Sequence, residues 1–326
     1  MKKKGGITGV LLLITIILFI TIVIWHKEFN TQNYNEALMT KQIVPWGVQS
    51  INAPALWSEV TGKGVKVAIL DSGINKHPDF GDNIKEGYNA IKPSELPIDD
   101  YGHGTIVCGI IAAQKNTFGI VGVAPEAELY PVKVLDSYGE GEILDVVNGI
   151  DWCIKNKIQI INMSFAIEND NDLLRSCVKR AIDAGIIVVA SALNSYKGNA
   201  GFPASYDKVI SVTAVDERLK ICKTAPKGKV DFSAPGVDVL SVSDDKGYEK
   251  FTGTSIAAPH ITGVIALISQ DPKKFGLFGS KTEIQNDVYK LLKYLSKDLG
   301  QTGKDKVYGE GFVSFQNIKT KIKGDF

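Results

Sequence analysis

From Gly64 onward, short apolar runs alternate with stretches whose apolar residues recur at helical spacing. The runs VKVAIL (65–70), LYPVKVL (129–135), IQIINMSF (158–165), IIVVASA (186–192) and VISVTAV (209–215) are rich in β-branched residues and carry few charges. Such runs read as strands buried on both faces. The stretches between and after them predict helices near 104–113, 142–157, 171–184, 255–270 and 282–295. This alternation predicts one α/β domain over residues 41–318, with a mainly parallel sheet between two helical layers. In sheets of this kind functional groups gather at the carboxyl ends of the strands.

The N-terminus follows a different pattern. Residues 1–6 hold three lysines, and the 19 residues from Ile7 to Trp25 are uncharged and dominated by Ile, Leu and Val. As a helix they span roughly 28 Å, close to the thickness of a bilayer core. The pattern predicts one transmembrane helix over 7–25, with residues 1–6 in the cytoplasm and the rest of the chain outside the cell. The expected location is therefore the cell membrane, as a single-pass protein with an extracellular domain. A cleaved signal peptide is the rival reading, but it calls for a shorter apolar core and a small-x-small site. Here the run ends in Trp25-His26-Lys27-Glu28. Residues 26–40 form a polar linker, and 319–326 a basic tail.

Composition narrows the partners. The chain has 326 residues, 44% of them hydrophobic, and 37 Lys and Arg against 36 Asp and Glu. A large core is affordable, and the charge balance gives no pull toward nucleic acid. The cysteines at 108, 153, 177 and 222 show neither CxxC nor a Cys/His metal spacing. Three lie in helical stretches and read as small buried apolar residues, although an exported domain leaves a disulfide open.

The segment GTSIAAPHITG (253–263) puts Ser255 at the start of a buried helix, as a cap or as a nucleophile. A nucleophile needs a base, and there are four histidines. His26 lies at the membrane edge, and His260 is turned about 140° from Ser255 on the helix. His77 sits in a loop that does not aim it. His103, between glycines and ahead of an apolar helix, is the best base. Asp71 ends the run VKVAIL before Ser-Gly, as a turn residue or as the partner that fixes the imidazole tautomer.

Five blocks then stand in order: DSGIN at 71, GHGTIVCGIIA at 102, GVAP at 122, INMSF at 161 and GTSIAAPHITG at 253. Together they resemble the signature blocks of the subtilisin-like serine peptidases, over about residues 42–313. The resemblance implies Ser255 as nucleophile, His103 as base, Asp71 as its orienting partner and Asn194 as oxyanion donor. It implies an extended peptide or protein substrate lying along Ser137, Tyr138 and Gly139 on one side and Ser164, Phe165 and Ala166 on the other. Ala166 stands where glycine is common, so its methyl narrows the pocket for the residue before the cut, and Gly201 opposite carries no acidic side chain to favour a basic residue there. Asp99 and Asp100 read as a solvated loop, the alternative being a preference for a basic residue one position further back. It also implies a structural Ca²⁺ held by Gln42, Asp79 and Asn116 with carbonyls of Gln114, Phe118 and Ile120, and a cis bond before Pro203.

Three departures from the family accompany it. Leu193 replaces the usual glycine before Asn194, Ile256 replaces a common methionine, and no prosegment fits between Trp25 and Gln42. The expected function is a membrane-tethered serine endopeptidase that processes a peptide or surface precursor. A non-catalytic peptide binder on the same fold and a secreted general protease are the alternatives.

Overall fold

The computed structural model describes residues 38, 40–195, 198–243, 247–279, 283–316 and 318. The apolar run 7–25, most of the linker 26–40 and the tail 319–326 lie outside the described residues. Among the described residues no helix is long and apolar enough to cross a membrane.

Strands β1 (Lys66–Asp71), β2 (Tyr88–Asn89), β3 (Glu128–Lys133), β4 (Ile160–Met163), β5 (Ile187–Ser191), β6 (Ile210–Val215) and β7 (Phe232–Pro235) run parallel. The short strands β10 (Ser296–Lys297) and β11 (Phe312–Val313) extend the same sheet, giving the order β10-β11-β7-β6-β5-β4-β1-β3-β2. A separate antiparallel pair joins β8 (Val239–Val242) to β9 (Tyr248–Phe251). The five strands read from apolar runs are present with ends within about two residues, the usual scatter of strand boundaries. Their continuity has the expected cause, because both faces of the sheet are covered.

Side-chain alternation sorts the core into two layers. Val67, Ile69, Val189 and Val212 pack with helices α2 (His103–Ala112) and α5 (Thr254–Gln270). Ala68, Leu70, Ile161, Met163 and Val188 pack with α3 (Ile143–Lys155) and α4 (Asp172–Asp183) on the other face. Asn171 caps α4 by accepting from Leu173 N and Leu174 N at 3.0 and 3.1 Å. The helix α1 (Trp46–Ile51) precedes the sheet, and α6 (Ile284–Leu295) follows α5. All four cysteines are buried and free. The Phe202–Pro203 bond is cis, as expected.

The chain leaves β1 toward β3 and leaves β4 toward β5, in opposite directions along the sheet. The carboxyl ends of β1 and β4 therefore flank a topological switch point, where open α/β sheets form their crevice.

A buried polar chain ties α5 to this point. Pro259 has no N–H, so the carbonyl four residues earlier, that of Ser255, loses its helical donor. The Ser164 hydroxyl takes that place, donating to Ser255 O at 2.8 Å. Ser164 Oγ in turn accepts from Asn162 Nδ2 at 2.9 Å, and Asn162 Oδ1 accepts from Thr262 Oγ1 at 2.8 Å.

Removing the hydroxyl leaves two buried groups unpaired. Ser164→Ala is expected to lose about 1–3 kcal/mol in denaturant unfolding. Pro259→Ala restores a helical N–H for Ser255 O, so the double variant should lose less than the single losses predict.

Candidate active site

Asp71 is the last residue of β1 and fully buried, and His103 is the first residue of α2. The two elements meet closely. A β-carbon at Gly104 would lie 2.1 Å from Gly73 O and 3.3 Å from Asp71 Cβ, so only glycine lets the helix start this near the strand end. His103 Nδ1 lies 2.9 and 3.0 Å from the two Asp71 oxygens. Asp71 Oδ1 also accepts from Ser72 N at 2.9 Å. Because Nδ1 donates to the carboxylate, Nε2 carries the lone pair, and the ring remains 22% exposed. Burial pulls the His103 pKa down. The charge and hydrogen bond of Asp71, with the charge of Asp99, outweigh it and leave the pKa above 6.5.

Ser255 is the second residue of α5 and partly exposed. Thr254 N donates to Asn194 Oδ1 at 2.9 Å, which orients the carboxamide so that Nδ2 is its free end. A β-carbon at Gly253 would sit 3.1 Å from Asn194 Nδ2 and 3.2 Å from Ser255 Oγ, so these two atoms border one small space. Of the first-turn amides of α5, that of Thr254 is taken by Asn194 and that of Ile256 donates to Gly253 O at 3.2 Å, which leaves the Ser255 N–H at the helix start. Asp71 ends β1, Ser164 follows β4 and Asn194 follows β5, so the groups gather at three neighbouring carboxyl ends. The pairing of a tautomer-fixed imidazole, a hydroxyl at a helix start and an amide donor suits acyl transfer.

The flanking segments differ from the expectation in one place. Ser137, Tyr138 and Gly139 form a turn rather than an extended edge. Asp136 Oδ1 accepts from Tyr138 N and Glu140 N at 2.8 and 3.0 Å and holds the turn closed. Ser164, Phe165 and Ala166 leave β4 without helical structure and reach Ile167, which bridges to Phe202 above Gly201. Gly201 N donates to Ala192 O at 3.0 Å, placing it at the base between the two segments.

Asp99 is not solvated. It is buried and accepts from Tyr101 N, Gly102 N, Thr105 N and Thr105 Oγ1 at 3.1, 2.7, 2.8 and 2.6 Å. It is thus the cap that fixes the start of α2. Asp100 pairs with Lys133 Nζ at 2.5 Å, and the buried Lys133 also reaches Ser72 O and Leu135 O at 2.7 and 2.9 Å. Sequence reasoning missed Lys133, and it missed Tyr101, whose ring centroid lies 6.5 Å from that of His103. The tyrosine covers Gly139, where a β-carbon would come within 2.8 Å of the ring. Its place two residues before His103 was the available signal. His77 and His260 hold structural places: His77 Nδ1 accepts from Asp79 N at 3.1 Å, and His260 Nδ1 bonds Ile256 O at 3.0 Å. Burial pushes the His260 pKa down to about 4.

A second polar cluster lies away from these groups. Gln42 Nε2 meets Gln114 O, Asn116 Oδ1, Phe118 O and Ile120 O at 2.8, 2.9, 3.3 and 3.0 Å. Four oxygens thus converge on one point. Asp79 is fully buried beside them and accepts from Asn116 Nδ2 and Ile120 N at 3.0 and 2.9 Å. Burial raises the Asp79 pKa against the hydrogen bonds of Asn116, Ile120 and Tyr248 and the charge of His77. No group of three or more His, Cys, Asp or Glu converges among the described residues. An all-oxygen set with one carboxylate fits a hard cation rather than a transition metal.

Comparison with known proteins agrees with this geometry. The model of the subtilase family matches residues 62–311. Subtilisin Savinase of Lederbergia lenta is 38% identical over 275 residues, 84% of this chain and 97% of that protein. The thermostable alkaline protease of Halalkalibacterium halodurans is 37% identical over 281 residues, covering 86% of this chain and 74% of the relative. The minor extracellular protease Epr of Bacillus subtilis is 36% identical over 275 residues, 83% of this chain but 41% of Epr. With a family model matched across most of its length, and His103 paired to Asp71 at the sheet's switch point, the chain belongs to the subtilase family of serine peptidases.

Proposed function

We propose that this subtilisin-like peptidase cleaves internal peptide bonds with Ser255 as nucleophile, held outside the membrane by residues 7–25. The observation that carries the catalytic reading is the bidentate Asp71–His103 contact, which leaves Nε2 as the base. Nε2 takes the Ser255 proton as Oγ attacks the carbonyl carbon. Asp71 stabilises the imidazolium, and the carbonyl oxygen becomes an oxyanion facing Asn194 Nδ2 and the Ser255 N–H. His103 returns the proton to the leaving amine, which departs and leaves an acyl-enzyme. Water, deprotonated by the same nitrogen, releases the acid. The anchor reading rests on the uncharged 19-residue run behind three lysines. Tethering suits processing of a surface precursor more than general degradation.

The cluster around Gln42 is read as a calcium site. Gln42, Asp79 and Asn116 with the carbonyls of Gln114, Phe118 and Ile120 would hold the ion. The two ends of a carboxamide are near-isosteric, so turning Gln42 over presents Oε1 where Nε2 now meets four oxygens. Bound calcium would supply charge for Asp79 and stability to the loop 114–120, apart from the chemistry.

Treatment of the full chain in detergent with a fluorophosphonate should give one adduct, on Ser255 by peptide mapping. His103→Ala should abolish it, and labelling elsewhere or not at all would sink the reading. Because His103 must be neutral to act, kcat/KM should rise with pH through a midpoint above the ~6.5 of free imidazole. Asp71→Asn leaves burial unopposed by that charge, so the midpoint should fall and kcat drop on the order of 10⁴-fold in a pH–rate profile. Calcium at about 100 times its Kd should stabilise the protein by about 2.7 kcal/mol. In melting curves with and without chelator that gain should vanish in Asp79→Asn.

A further inference from the structure

A peptide attached at Ser255, with its carbonyl oxygen at Asn194 Nδ2, has an α-carbon one bond from the reacting carbon. The side chain on that α-carbon must leave the backbone close to Asn194. The cleft available to it is bounded by two segments that leave adjacent parallel strands. Met163 and Ala190 are paired in register, and the segments 164–166 and 192–194 that follow them stay close, with the β-carbons of Ala166 and Leu193 both next to Gly201. Ser164 is bonded to the Ser255 carbonyl and Asn194 to Thr254 N, so the cleft opens beside the serine.

The base of that cleft is filled. A β-carbon built on Gly201 would lie 3.1 Å from Ala166 Cβ, 3.4 Å from Leu193 Cβ and 2.7 Å from Ile167 O. Carbon atoms pack best at about 3.5–4.0 Å. At this depth the two side chains already leave no room for a third carbon between them. Exposure agrees: Gly201 is buried, while Ala166 and Leu193 above it are partly exposed.

Leu193 also holds an unusual backbone. Its φ is +94°, a left-handed conformation that disfavours a side chain with a β-carbon. Such strain persists where surrounding structure enforces it, often at ligand clamps. Glycine at this position would relieve the strain and empty the wall. The leucine does neither, and its β-carbon stands over Gly201.

We propose that Leu193 and Ala166 together form a stop in the recess for the residue that supplies the scissile carbonyl, so that the enzyme cleaves after glycine and alanine and rejects longer side chains. The proposal rests on Ser255 as nucleophile and Asn194 as oxyanion donor. Its test separates the two readings.

Peptidyl diphenyl phosphonates carrying Gly, Ala, Leu or Phe next to phosphorus report the recess: Ser255 Oγ bonds to phosphorus and phenol departs with the serine proton. A small fluorophosphonate without such a side chain reports the serine alone. On the full chain the Ala reagent should react about 10–200-fold faster than the Phe reagent, the span typical of steric discrimination in a pocket. Leu193→Gly should narrow that ratio, Leu193→Gly with Ala166→Gly should narrow it at least about tenfold, and Leu193→Ala should fall between. Each ratio is taken within one protein, so a change in the active fraction cancels. If the fluorophosphonate labels Ser255 while Phe and Ala reagents react alike, or the ratio is unmoved in the glycine variants, the stop is refuted and the peptidase stands. If the fluorophosphonate fails to label Ser255, both readings fall.

Discussion

One missing N–H organises the centre of this protein. Pro259 sits inside the most buried helix and deprives the Ser255 carbonyl of its helical donor. An unpaired carbonyl at that depth is unfavourable by about 1–3 kcal/mol, and Ser164, just past the end of β4, removes the deficit. Asn162 and Thr262 complete the chain, so the sheet and the helix are joined by polar groups that satisfy one another. The same bond holds the segment that follows β4 against the backbone of Ser255.

Around Asp71 the problem is charge. A carboxylate with no exposure requires compensation, and it receives His103, the Ser72 N–H and the start of α2. Asp99 is buried nearby, but its oxygens are occupied by three backbone N–H groups and a hydroxyl. Lys133 reaches the Ser72 carbonyl and Asp100 from the adjacent strand. The histidine thus sees two carboxylates and remains partly open to solvent, which keeps it basic enough to accept a proton and accessible enough to pass it on.

The central strands and their helices were legible because each lies in a run long enough to show its period. The strands β2, β10 and β11 have two residues each, too few for any alternation, and β7 pairs only because β6 and β11 flank it. The residues at the strand ends were legible as motifs. Asp99 and Lys133 were not, because a cap and a buried ammonium are defined by carbonyls and amides that the chain brings from elsewhere. For Ser137 to Gly139 the sequence suggested an edge. Asp136 ahead of Tyr138 and Glu140 was the sign of an Asx-type turn that such a reading passes over.

Leu193 is where the sequence and the structure pull hardest against each other. A leucine at φ +94° is locally unfavourable, and its neighbours on both sides are pinned: Ala192 by Val212 O and Gly201 N, Asn194 by Thr254. The loop cannot relax without moving Asn194 and its bond to Thr254. The strain is therefore held in place by the same contacts that position Asn194, and the Leu193 β-carbon stays close to Gly201. A loop that fixes Asn194 this firmly can tolerate a poor local conformation beside it. The proposed stop, made by Leu193 together with Ala166, would rely on this rigidity.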